Sequence, residues 1–120
     1  MDFESDFPSE ELVEFNIEGR IFKYKPVIAR DESAWVNEYI EIIDGKTVQN
    51  FDKLTQCKIR NLMEIPYSKE IIKLKIGKDQ EWKDLNKEER WDFLGRLSPI
   101  IFNKIINKIN EIDKSGIKKN

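Results

Sequence analysis

Few residues in this chain have types and spacings that could do chemistry. Asp44-Gly45-Lys46-Thr47 contains the Gly-Lys-Thr of a phosphate loop, yet such a loop needs another glycine five residues earlier, where Ile40 stands. The fragment reads better as a helix stop followed by a turn. Glu88-Glu89, and Asp79 with Glu81, offer paired carboxylates for acid/base work or an oxygen-ligand cation site, although acids in a first helical turn also simply complement the helix dipole. With no histidine and one cysteine, Cys57, the chain cannot build a Cys/His zinc site, a Ser-His-Asp or Cys-His pair, or an internal disulfide. No catalytic residue, metal ligand or cofactor is expected from these patterns.

Trp82 sits between Glu81 and Lys83, flanks that suggest a partly exposed ring of the kind that anchors protein interfaces, whereas Trp91 reads as core. Trp82, Tyr67 or Tyr24 near Lys23, Lys25 and Lys69 could stack bases, but these aromatics are scattered and carboxylates interleave the lysines. A formal net charge of −2 is also too balanced for a protein that coats duplex nucleic acid, so nucleic acid is not the expected partner. The charge is unevenly spread: Asp2, Glu4, Asp6, Glu10, Glu11 and Glu14 crowd the beginning, and Lys104, Lys108, Lys114, Lys118 and Lys119 the end.

The elements that must position these residues fit one domain, since 120 residues is an ordinary domain length. Residues 1–11 read as a mobile acidic arm in which Phe3 and Phe7 are candidate anchors for a partner, residues 12–116 as a single α+β domain, and 117–120 as a basic tail. Val13, Phe15 and Ile17 alternate, as do Phe22 and Tyr24. A Glu18-Gly19 turn would set Phe15 opposite Phe22, Val13 opposite Tyr24 and Glu14 opposite Lys23. Pro26 should close the second strand or place it on a sheet edge.

Asp31 is the expected cap of a helix over 32–43, with Trp35, Val36, Tyr39, Ile40, Ile42 and Ile43 on its apolar side and Gly45 past its end. A second helix is expected over about 51–64, ended by Pro66, with Cys57 interior or semi-buried. Residues 68–76 suit a helix or a strand, Ser68 favouring the helix. Asn86 and Glu89 have capping-box spacing before Trp91, Leu94 and Leu97. Ser98-Pro99 should open a last helix running to about 114 and stopped by Gly116, with Phe102, Ile105, Ile106, Ile109 and Ile112 as its stripe. Such a stripe serves as core, or, through Phe102, Ile105 and Ile109, as a surface shared with another subunit or a client. The fold class expected is therefore α+β, an N-terminal β-hairpin packed on a bundle of four to five short helices.

The hairpin Phe15-Asn16-Ile17-Glu18-Gly19-Arg20-Ile21-Phe22-Lys23-Tyr24-Lys25-Pro26, the later run Trp82-Lys83-Asp84-Leu85-Asn86-Lys87-Glu88-Glu89-Arg90 and the isoleucine-rich final helix together resemble the small tail-assembly chaperones of tailed viruses and proviruses. The resemblance spans about residues 12–114 through short motifs. It implies a non-enzymatic protein that holds a viral tail or other virion component in the host cytoplasm, through exposed apolar grooves and often as a homo-oligomer. Phe22, Tyr24 and Pro26, with Leu85, Glu89 and Arg90, would be scaffold residues. Two other classes stay open: a provirus-encoded regulator touching nucleic acid with its C-terminal lysines, and a small hydrolase using Glu88, Glu89 and a divalent ion. No apolar run reaches the ~18 residues of a membrane span, and the acidic start lacks a secretory pattern, so a cytoplasmic protein without membrane contact is expected.

Overall fold

A computed structural model describes residues 11–114. The acidic arm's anchors Phe3 and Phe7, the helix stop at Gly116 and the basic tail lie outside the described residues. The architecture is α+β: an antiparallel N-terminal hairpin followed by helices and short strands.

Strands β1 (Val13–Ile17) and β2 (Arg20–Tyr24) pair in the expected register, Phe15 with Phe22, Val13 with Tyr24 and Glu14 with Lys23. Glu18 and Gly19 both adopt positive φ, 52° and 82°, the conformation that lets a two-residue turn follow the twist of its strands. Asn16 fixes the turn by accepting the Gly19 N–H through Oδ1 at 2.8 Å. The rings of Phe15 and Phe22 stack at 5.4 Å on the inner face.

β2 is not an edge strand. A short strand β5 (Leu62–Glu64) joins its far side, giving the order β1-β2-β5. The ladder carries on to Lys25, whose N–H donates to Asn61 O at 2.7 Å, and buried Pro26 then ends it by lacking a donor.

Helix α1 (Ala29–Tyr39) begins earlier and stops sooner than expected. Asp31 lies inside its first turn and accepts the Ile28 N–H at 3.2 Å, reaching back to the N-cap instead of occupying it. Residues Ile40–Ile43 form strand β3, which turns through Asp44 and Gly45 (φ 53° and 76°) into β4 (Lys46–Gln49). The expected helix over 32–43 is thus corrected to a helix and half of a second hairpin. The Gly-Lys-Thr fragment is the tip and returning strand of that hairpin.

Helix α2 (Phe51–Ile59) is capped by Asn50 Oδ1, which accepts the Lys53 N–H at 3.0 Å, and it ends seven residues before Pro66. Its expected continuation, Leu62 and Met63, is β5. Helix α3 (Lys69–Ile76) resolves the ambiguous stretch as helix, with Ser68 as N-cap and Gly77 left-handed at its end. A 3-10 turn (Trp82–Asp84) leads to α4 (Lys87–Leu94). There Asn86 and Glu89 exchange reciprocal capping bonds of 2.9 and 3.1 Å. Helix α5 (Pro99–Lys114) opens at Ser98, whose Oγ accepts the Ile101 N–H at 3.3 Å.

Two apolar clusters result. The larger gathers Phe15, Ile17, Phe22 and Tyr24 from the first hairpin with Ile59, Leu62, Ile72, Trp82, Leu85, Phe93, Leu94, Ile105 and Ile109. The smaller joins Trp35 and Tyr39 of α1 to Cys57 of α2, with Ile40 and Leu54 at its margin. Val27, in the linker after Pro26, packs against both.

Candidate functional site

Of the expected partner anchors among the described residues, three are interior. Trp82 is 1% exposed, contrary to the expectation of a half-open ring: the 3-10 turn swings the indole inward, where its Nε1–H donates to Leu62 O at 2.9 Å and its ring meets Phe93 edge-on at 5.7 Å. Ile105 and Ile109 are sealed beneath α5, so their stripe serves the core and not the surface. Phe102 is half-buried, edge-on to Trp91 at 5.9 Å, and Trp91 itself is only half-buried where a core position was expected. Phe93, absent from the expected apolar side, is the core aromatic of α4.

The chemistry-bearing groups are likewise accounted for. Glu89 is held below the usual carboxylate range first by the Asn86 N–H it caps, then by Lys78 at 3.3 Å. Burial raises the Cys57 thiol, which disfavours its thiolate. No cluster of metal-ligating side chains occurs among the described residues. Of the three candidate stacking aromatics, Tyr24 and Trp82 are buried, and Tyr67 lies half-buried beneath the Arg20 guanidinium at 5.6 Å. Lys104 is engaged by Glu18 at 2.6 Å, which lowers that carboxyl through the hydrogen bond and the charge together.

What remains exposed is aliphatic. Pairing of Ile43 with Lys46 and of Glu41 with Val48 sets Ile43 and Val48 on one face of the β3–β4 ribbon, and Ile42 on the other with Ile40. Ile42 is 77% exposed, Ile43 51% and Val48 40%, and Phe51, two residues past the ribbon at the start of α2, is 70% exposed. Among the described residues no third strand joins this ribbon, so its two outer edges present unpaired backbone donors and acceptors. The base is held firmly: Glu41 binds Lys53 Nζ at 2.8 Å, which lowers its carboxyl, and the Asn50 N–H returns to Tyr39 O at 2.7 Å. From Phe51 a groove of about 570 Å³ runs between α2 and α5, past Leu54, Lys58, Asn107 and Asp113. The sequence signal for this surface was Asp44-Gly45, a hairpin dipeptide set between Ile-Glu-Ile-Ile and Lys-Thr-Val-Gln.

A second concavity lies at the start of α4. It measures about 470 Å³ and is lined by Arg60, Leu85, Asn86, Lys87, Glu88 and Arg90. Arg60 grips Glu38 with both terminal guanidinium nitrogens, which lowers the Glu38 carboxyl. Arg90 donates Nη1–H to Arg60 O at 3.1 Å and Nη2–H to Lys83 O at 3.3 Å. Desolvation lowers its pKa.

No protein-family model matches the chain, and no curated protein or solved structure matches it either. No described helix is long and apolar enough to cross a membrane.

Proposed function

We propose that this chain is a protein–protein interaction module that works through the β3–β4 ribbon and Phe51, and that it holds a virus or provirus tail component, as its resemblance to tail-assembly chaperones implies. The observation that carries this reading is the exposure of Ile42, Ile43 and Val48 on a ribbon with two open edges, with exposed Phe51 beside it at the start of α2. A lone two-stranded ribbon is marginal in water, and exposed apolar strands with free edges are an aggregation hazard that folded proteins ordinarily cover. A partner's extended segment added to either edge would take up the free backbone groups and bury the aliphatic side chains, the mode in which main-chain bonds give affinity and side-chain pockets give specificity. Each such side chain contributes about 1.5–3 kcal/mol when fully buried, before the cost of association.

The test is gel filtration with light scattering, followed by co-purification with virion proteins from infected or induced cells. Wild type is expected to self-associate or to retain an extended tail protein. Ile42→Lys and Val48→Lys should weaken that binding at least about tenfold while melting unchanged, because neither side chain supports a core. A strictly monomeric chain that retains none of those proteins would overturn the reading.

A further inference from the structure

The two hairpin turns of this chain have nearly the same backbone. Glu18 and Gly19 take φ of 52° and 82°, and Asp44 and Gly45 take 53° and 76°. Their side chains and settings differ in three respects, all of which bear on one reaction.

Asp44 is the only aspartate or asparagine in the sequence that is followed by glycine. Its carboxyl can close a five-membered ring on the backbone nitrogen of Gly45, where Glu18 would need a less favoured six-membered one. Gly45 has open space where a Cβ would stand, so no side chain shields that nitrogen. In the first hairpin the Gly19 N–H is held by Asn16 Oδ1 at 2.8 Å. The corresponding position in the second is Ile42, which offers no acceptor, and the Gly45 N–H has no partner among the described residues. Finally, β1 and β2 pack on the larger cluster in a sheet that β5 extends, whereas β3 and β4 form a ribbon of two strands with Asp44 exposed at its tip. Such a ribbon is marginal and opens locally, which frees the turn to reach the geometry of ring closure.

We propose that Asp44 is a site of spontaneous isoaspartate formation, and that this change dismantles the second hairpin. The Gly45 nitrogen attacks Cγ of the protonated Asp44 carboxyl. The N–Cγ bond forms, and the carboxyl hydroxyl and the amide proton leave together as water, giving a succinimide. Water then adds to one ring carbonyl and breaks its bond to nitrogen. Cleavage at Cγ restores aspartate. Cleavage at the main-chain carbonyl leaves the chain running through Cβ and Cγ and frees the α-carboxylate, with mass and charge unchanged. The backbone between Ile43 and Lys46 is then one atom longer, so a two-residue turn no longer fixes the pairing of those residues. A strand added to the ribbon's edge would hold the turn closed and slow the reaction. That last effect rests on the ribbon being a docking surface; the isomerisation does not.

The experiment ages the full chain for weeks at physiological temperature, then locates isoaspartate by proteolysis and electron-transfer fragmentation, which separates the two isomers of equal mass. Isoaspartate should accumulate at Asp44 at least about tenfold faster than at Asp52 or Asp79, exposed aspartates followed by lysine and glutamine. Asp44→Glu should give no isomer at that position. Ile42→Asn, which supplies the acceptor that Asn16 supplies in the first hairpin, should slow the reaction roughly threefold. Amide exchange of the aged fraction should speed up over Ile40–Gln49 and stay unchanged in β1 and β2. A rate at Asp44 no greater than that at Asp79, an Ile42→Asn rate equal to wild type, or an isomerised chain that keeps the Ile43–Lys46 pairing would overturn the proposal. Comparing fresh and aged chain for retention of a virion protein keeps the two claims apart: isomerisation at Asp44 with no retention by fresh chain counts against docking at the ribbon and leaves the modification site standing.

Discussion

Tyr24 Oη donates to Asp113 Oδ2 at 2.7 Å, joining the last residue of β2 to the final turn of α5 across 89 residues of sequence. The same carboxylate accepts the Val27 N–H at 2.9 Å and binds Lys58 Nζ at 2.9 Å. One side chain thereby ties the three-stranded sheet, the linker shared by both apolar clusters, and α2.

Removing that carboxylate leaves a hydroxyl and a backbone donor without their acceptor, and takes the ion-pair partner from a mostly buried ammonium that keeps Asn110 Oδ1 at 2.9 Å. Asp113→Ala is expected to lower stability by about 2–4 kcal/mol, with Asp113→Asn intermediate because its amide still accepts one bond. Urea denaturation monitored by tryptophan fluorescence measures this. A loss under about 0.5 kcal/mol would show the clamp to be idle.

Burial, and then the Asp113 charge, push the Tyr24 phenol far above its ordinary value. Below about pH 10 both folded and unfolded chains keep this proton; above it the unfolded chain releases it and the folded one does not, so stability falls as pH rises. The expected alkaline slope from this group approaches about 1.4 kcal/mol per pH unit. Tyr24→Phe should be modestly less stable at pH 7 yet show a shallower decline between pH 10 and 11.5, read by denaturant titrations across that range.

Trp82 carries a buried donor to match a buried acceptor, Leu62 O in β5. Trp82→Phe deletes the bond and some volume, and should cost about 2–3 kcal/mol through the orphaned carbonyl and the cavity. Amide exchange should concentrate the loosening in residues 62–64. Uniform protection in the variant would mean that the indole bond does not hold β5.

Gly19 and Gly45 stand at equivalent places in two hairpins, with φ of 82° and 76° and open space where a Cβ would be. Alanine at either is therefore strained by the backbone alone, by about 1 kcal/mol. Gly19→Ala should lower global stability by that amount, since β1 and β2 face the larger cluster. Gly45→Ala should leave global melting nearly unchanged and instead speed amide exchange in Ile40–Gln49, because that ribbon opens locally. Equal effects on global melting would contradict the independence of the second hairpin.

The two hairpins also show what the sequence made legible. Around Glu18-Gly19 the residues Val13, Phe15, Ile17, Phe22 and Tyr24 alternate, and the register follows pair by pair. Around Asp44-Gly45 the run Tyr39, Ile40, Ile42, Ile43 satisfies a helical repeat better than an alternating one, and Gly45 serves equally as a helix terminator. Competition from Trp35 and Tyr39, which do belong to a helix, hid the turn. Ser68 resolved the stretch after it because a side-chain cap is a local signal. Leu62 and Met63 suit a helical repeat yet form a strand for the opposite reason: β5 exists through pairing with β2, a contact 38 residues distant in the chain for Tyr24 and Leu62. The inward turn of Trp82 depends on a carbonyl 20 residues away, and nothing in Glu81-Trp82-Lys83 records it. Arg90 illustrates the cleft in the same way. The spacing of Glu89 and Arg90 places it in a helix, and its burial on the carbonyls of Arg60 and Lys83 emerges only when those residues are brought around it.

Among the described residues, only Ile40 of the second hairpin packs against an apolar cluster. From Glu41 to Gln49, then, a substitution alters what the ribbon presents to its surroundings and hardly touches whether the remainder still folds, so the sheet and helices beneath it stay as they are.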